Sequence, residues 1–174
     1  MDENNYVGVD NMLQQKLGIT VSEAVPTTGR WSKYLPNDVL IGNIRPYLRK
    51  IWFADREGGT NGDVVVLRSK NEAQIYPRFL YHICASERFF EYDNGKSKGA
   101  KMPRGDKGMI PLFEVVVPKD INEQIRIADV LDKFDKLTSD ISEGLPAEIK
   151  MRHQQYEYYR DKLLSFKRLE CETV

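Results

Sequence analysis

The sequence predicts an α+β chain: a globular part of short strands with one or two helices, followed by a helical tail. Three observations predict it. Across residues 1–118, apolar runs such as Val39-Leu40-Ile41, Ile51-Trp52-Phe53-Ala54 and Val64-Val65-Val66-Leu67 are separated by clusters of Gly, Pro, Asn and Asp. Short apolar runs bounded by turn residues are what buried strands require. From Tyr76 to Tyr92, Phe79, Leu80, Ile83, Phe89 and Phe90 follow a helical spacing, and Pro77 suits the first turn of that helix. Beyond Ile121, apolar residues recur at steps of three and four, which puts them on one helical stripe.

Taken in order, Tyr6 to Val9 reads as a strand, Asn11 to Leu17 as a helical turn, Gly18 to Val21 as a second strand and Pro26 to Gly29 as a turn. Gly42 to Lys50 mixes an asparagine, cations, a tyrosine and Pro46, which cannot donate to a central ladder, so this piece is an edge or a loop. Gly58 to Gly62 reads as a turn, and Glu114 to Pro118 as a last strand handing over to the helices. The first of these, about 122–141, carries Ile127, Val130, Phe134, Leu137 and Ile141 on its stripe. Gly144 and Pro146 break it and open a second helix, about 146–167, with a seam of Ile149, Tyr156, Tyr159, Leu163 and Phe166. Its 22 residues make a rod of about 33 Å.

Residues 122–168 hold nine acidic and nine basic side chains. A helix laid along phosphates would be basic, so this stretch is suited to holding protein. Either it packs back on its own domain or it docks a partner's helix.

Lysine plus arginine equals aspartate plus glutamate at 26 each, so any nucleic-acid surface must be local. No apolar run approaches the roughly 18 residues of a membrane span, and no membrane partner is expected. Cys84 and Cys171 form no CxxC pair, which suits a reduced, cytoplasmic protein. Two basic clusters stand out. The loop Gly95 to Gly108 sets Lys96, Lys98, Lys101, Arg104 and Lys107 against Asp106, with four glycines that let a backbone approach a surface closely. Such a loop tracks phosphates or is simply solvated. The second cluster holds Asn43, Arg45, Tyr47, Arg49 and Lys50. Arg45 or Arg49 fits the edge of a guanine and Asn43 that of an adenine, or the cluster is an ordinary solvated sheet edge.

Enzymatic chemistry finds no support in the residues. Gly95-Lys96-Ser97 lacks the earlier glycine and the lead-in strand of a phosphate-binding loop, since Phe90 stands where that glycine belongs. Arg45-Pro46-Tyr47 is not an adenine-methyltransferase motif, and Glu148-Ile149-Lys150 has no upstream acidic strand to make a nuclease site. His82 and His153 lack metal-ligand spacing. No catalytic residue, metal or cofactor is expected.

The runs INEQIRIADVLDKFDKL, DISEGLPAEI and RHQQYEYYRDKLLSF resemble, in that order, the helical region of type I restriction–modification specificity subunits. DVLIGNIRPYLRKIW and KSKGAKMPRGDKGMIPLFEVVVP are similar in spirit to their target-recognition domains. A full member has two recognition domains, each followed by a helical region, so this chain resembles half of one. The resemblance implies a recognition domain at 1–118 with a curved, mostly antiparallel sheet, and a coiled-coil helical region at 119–174 for dimerisation and subunit docking. It also implies an earlier stretch of chain before the first strand. The implied role is non-catalytic recognition of a short half-site on double-stranded DNA. The implied partners are the modification methyltransferase, which supplies S-adenosylmethionine chemistry, an ATP-dependent restriction subunit, and a second copy that makes a homodimer. An opposing reading is an assembly or decoy protein that binds such subunits without specific DNA binding.

Overall fold

The structure, a computed structural model, describes residues 1–139 and 144–165. Two compact units divide the chain, Met1–Ala128 and Asp129–Val174. The first holds six strands: β1 Tyr6–Val7, β2 Ser32–Tyr34, β3 Val39–Gly42, β4 Ile51–Phe53, β5 Gly58–Thr60 and β6 Val64–Leu67. They form two three-stranded sheets, ordered β1-β5-β2 and β4-β3-β6. Every pairing is antiparallel except that of β1 with β5.

β3 explains the double core. Successive side chains of a strand point to opposite faces. Val39 and Ile41 therefore enter one core, with Ile51, Tyr81, Phe89, Phe90 and Ile110, while Leu40 enters another, with Val7, Met12, Tyr34 and Val64. A strand buried on both faces must be apolar throughout, which is why its sequence shows no alternation. One end of this rigid strand is Gly42, the entry to the basic segment Asn43 to Lys50.

Several local expectations are corrected. Gly58 to Thr60 is not a turn but the central strand of the first sheet, paired on both sides. Asn11 to Leu17 is not a helical turn: Gln15 and Lys16 take φ of 55° and 66°. Their N–H groups donate to Leu48 O at 2.9 Å and Arg49 O at 3.0 Å, so the loop straps the far basic segment. Gly18 to Val21 supplies only the single bridge Ile19–Met12. Of the one or two helices expected in the globular part, two form after Tyr76, α1 Pro77–Cys84 and α2 Glu87–Gly95. Ser86 separates them, its side chain accepting from Phe89 N, because a capping serine satisfies the free N–H groups of a new helix. Glu114 to Pro118 joins no sheet, and Val116 points into solvent.

The tail forms α3 Ile121–Ser139 and α4 Gly144–Leu164. Gln124 and Ala128, on the first two turns of α3, are fully buried. Among the described residues no helix is long and apolar enough to cross a membrane.

Candidate nucleic-acid interface

The strand β3 leads directly into Asn43, whose N–H donates to Asp63 O at 2.8 Å. A single 3₁₀ turn, Pro46–Leu48, follows, flanked by Arg45 at φ 52° and Arg49 at φ 53°. Two non-glycine residues in the left-handed region hold strain of order 1–3 kcal/mol each. The neighbours enforce it: Arg45 N donates to Pro103 O at 2.7 Å, and Gly42 N to Lys50 O at 2.9 Å.

The 95–108 loop is built with equal care. Lys98 and Arg104 exchange two backbone hydrogen bonds of 2.9 Å, closing a turn in which Gly99 takes φ 104°. That φ favours glycine. Arg104 also bridges to Ile44, and Gly105 N donates to Asn43 O at 3.0 Å. The two basic clusters, some fifty residues apart in sequence, are thus laced together backbone to backbone.

The side chains divide into three groups. Lys98 pairs with Asp106 at 3.0 Å, Arg104 with Asp63 at 3.3 Å and Arg49 with Glu87. Lys96 lies 5.9 Å over the Tyr92 ring, and Lys107 donates to Gly62 O. The Lys98 hydrogen bond, then the Gly108 N–H, hold the Asp106 carboxyl below its ordinary range. These ammonium and guanidinium groups stay exposed or half-exposed, and exposed ion pairs are worth about 0–1 kcal/mol. A phosphate can replace such a carboxylate at little cost. Lys101 is exposed and has no hydrogen bond or ion pair to any described residue. Tyr47 presents a half-exposed ring.

Two expected DNA-facing side chains are withdrawn from this surface. Asn43 is only 5% exposed, so its amide does not face a base edge. Lys50 donates to Val9 O at 2.6 Å, and its burial, the largest influence on it, lowers its pKa. Composition also missed the groups beneath the face. Asp93 of α2 is 2% exposed, and burial pushes its carboxyl up from 3.8 to about 6. A helical aspartate gives no sign in sequence that it lies under another loop.

On the second unit, Ile149, Tyr156, Tyr159 and Leu163 are 51–78% exposed, and Phe166 lies outside the described residues. At about 100° per residue these four share one stripe of α4. Met151 and Tyr158, also exposed, sit opposite, a second apolar strip that the seam pattern does not include. Val130, Phe134 and Leu137 of α3 are exposed as well, while Ile141 falls outside the described residues.

Residues 6–151 match the type I restriction modification DNA specificity domain. The chain belongs to that family. The specificity subunit of the type I restriction enzymes EcoR124I/EcoR124II of Escherichia coli is 45% identical over 92 residues, 53% of this chain and 22% of that protein. A type I restriction enzyme specificity subunit of Haemophilus influenzae is 30% identical over 129 residues, 74% of this chain and 32% of its own. Such family relatives are specificity subunits, which are non-catalytic. The matches span less than half the length of these relatives. Among solved structures, the HsdS subunit from Thermoanaerobacter tengcongensis matches with a TM-score of 0.62 at 20% identity, covering 92% of this chain and 40% of that one. The type I specificity subunit from M. genitalium matches at 0.54, with 15% identity, 92% of this chain and 38% of its own. At these identities the structures show the fold, and the family's α+β architecture is the one described above.

Proposed function

We propose that residues 1–118 form a non-catalytic recognition domain of a type I restriction–modification system, binding a half-site on double-stranded DNA through the joined basic loops. The convergence of those loops carries this reading. Hydrogen bonds from Arg45 to Pro103 and from Gly105 to Asn43 make one exposed cationic face out of two sequence clusters. In this reading Lys96, Lys98, Lys101, Arg104 and Lys107 neutralise phosphates, while Arg45, Arg49 and Tyr47 are the candidates for reading base edges, Arg49 by exchanging its Glu87 partner. Residues 119–174 dock the modification methyltransferase, through which the restriction subunit joins.

Binding of a random-sequence duplex at increasing salt tests the face. Replacing Lys96, Lys98 and Lys101 together by alanine is expected to weaken binding to all sequences alike. It should also flatten the slope of log K against log salt by about 0.9 for each phosphate that is no longer neutralised. An unchanged slope would leave the loop merely solvated. That outcome would favour the second reading, an assembly or decoy protein, which the internal partners of most of these cations and the chain's zero net charge support.

The exposed stripe of α4 supports pairing of two copies about a two-fold axis. Each large apolar side chain on it would contribute about 1.5–3 kcal/mol if fully buried. Sedimentation is expected to give about 40 kDa, twice the 20.2 kDa of one chain. Tyr159→Asp with Leu163→Asp should return it to single chains. A wild-type mass equal to one chain, unmoved by the double substitution, would end the homodimer reading.

A further inference from the structure

Where the two basic loops meet, three side-chain oxygens crowd one point. A β-carbon on Gly105 would stand 2.6 Å from Asp93 Oδ1, 2.8 Å from Asn43 Oδ1 and 3.2 Å from Asp93 Oδ2. Asn43 is 5% exposed and Asp93 2%. Neither Asn43 Oδ1 nor Asp93 Oδ2 has a hydrogen-bond partner among the described residues. An amide oxygen and an ionised carboxylate are both acceptors, and two acceptors buried side by side are costly. Loading one proton on the carboxyl turns the pair into a donor and an acceptor. A β-carbon at position 105 would press on both groups, and glycine leaves the space in which they converge.

We propose that Asn43 and Asp93 form a proton-bridged latch: the neutral Asp93 carboxyl donates to Asn43 Oδ1, fastens the 95–108 loop to the Asn43–Lys50 segment, and takes up its proton as the basic face fills. The proposal rests on the DNA-binding reading only for its last clause.

The charged groups on the surrounding segments leave the carboxyl uncompensated. From the Asn43–Lys50 segment, Arg49 is held by Glu87 and Lys50 by Val9 O. Arg45 Nε is itself buried without a hydrogen bond. From the other loop, Lys98 pairs with Asp106, Arg104 with Asp63, and Lys107 with Gly62 O. On α2 itself, Glu87 is paired and Arg88 donates to Glu114 O, and Lys96, just past its end, lies over Tyr92, while α1 brings Arg78 and His82, which have partners of their own. Burial is what raises the Asp93 carboxyl to about 6. Its folded value exceeds the unfolded one, so its contribution to stability is complete below about 4 and is lost as pH rises through about 6. Phosphates on the face, and the water they exclude, both favour the neutral acid further.

Two measurements on the whole chain test this. In the free protein, the carboxyl carbon resonance of Asp93 should titrate near 6, and a titration at or below the ordinary 3.8 would overturn the latch, because it would mean a carboxylate paired with Arg45 or exposed. The unfolding constant of wild type relative to Asp93→Asn should rise about fiftyfold between pH 4 and 7, since an asparagine amide donates to Asn43 Oδ1 at every pH. Parallel curves would overturn it too. Calorimetric titration with a random-sequence duplex at pH 7, repeated in buffers of different ionisation enthalpy, should show uptake of up to one proton by wild type and less by Asp93→Asn. Equal uptake by both proteins removes the coupling to DNA. Absence of any duplex binding refutes the proposed function and the coupling with it, while the titration of the free chain still decides the latch.

Discussion

Replacing Gly58 by alanine is expected to break the first sheet. A β-carbon there would stand 2.0 Å from the Asn5 carbonyl oxygen and 2.4 Å from the Tyr34 hydroxyl. Neither can retreat cheaply. Asn5 O accepts from Gly59 N at 3.1 Å and from the Tyr34 hydroxyl at 2.8 Å, and Tyr34 is fully buried. Forcing backbone apart typically costs about 1–3 kcal/mol, and each buried hydrogen bond broken adds about 1 kcal/mol. A total of about 3–5 kcal/mol is a large share of a domain's usual stability of about 5–15 kcal/mol. Urea denaturation should show it as a lower midpoint. Gly62→Ala is the control, since nothing lies within 4 Å of its added carbon. Similar midpoints for the two variants would refute the close-approach account of β5.

A comparable loss is expected from Gln124→Ala. This side chain on the first turn of α3 is fully buried and makes three hydrogen bonds. Its Oε1 accepts from Tyr76 N at 2.9 Å, at the entry to α1, while its Nε2 donates to Gln74 O at 2.9 Å and Pro118 O at 2.8 Å. Truncation strands a buried N–H and two carbonyls, at about 1–3 kcal/mol for each group that water cannot reach, so the loss is about 3 kcal/mol or more. Gln124→Glu should be nearly as damaging at neutral pH, because a carboxylate turns an acceptor towards two carbonyl oxygens. Thermal unfolding gives the loss, and amide exchange at Tyr76 localises it. Slow exchange at Tyr76 in the alanine variant would show that the clamp is not what protects that N–H.

The contrast between legible and illegible elements has a physical cause. β3, β4, β6, the start of α1 and both tail helices follow from local pattern, because the apolar run or stripe that marks each is written in consecutive residues, even where, as on the tail helices, much of the stripe is exposed. β5 is different. A strand of two glycines and a threonine reads as a turn, and only the carbonyl of Asn5 and the ring of Tyr34, distant in sequence, make the first of those glycines necessary. Glu114 to Pro118 has a strand's composition, yet a strand exists only where another chain segment offers its hydrogen bonds. The same division runs through the candidate site. That the chain carries two cation-rich segments, one of them also rich in glycine, and a neutral tail fit for protein contacts, was determined by the sequence alone. Only the tertiary structure decided that the segments are one face, that Asn43 and Lys50 turn inward, and that Asp93 lies beneath them. Charge is a property of each residue, whereas burial and partnership depend on which distant segments the fold brings within hydrogen-bond range.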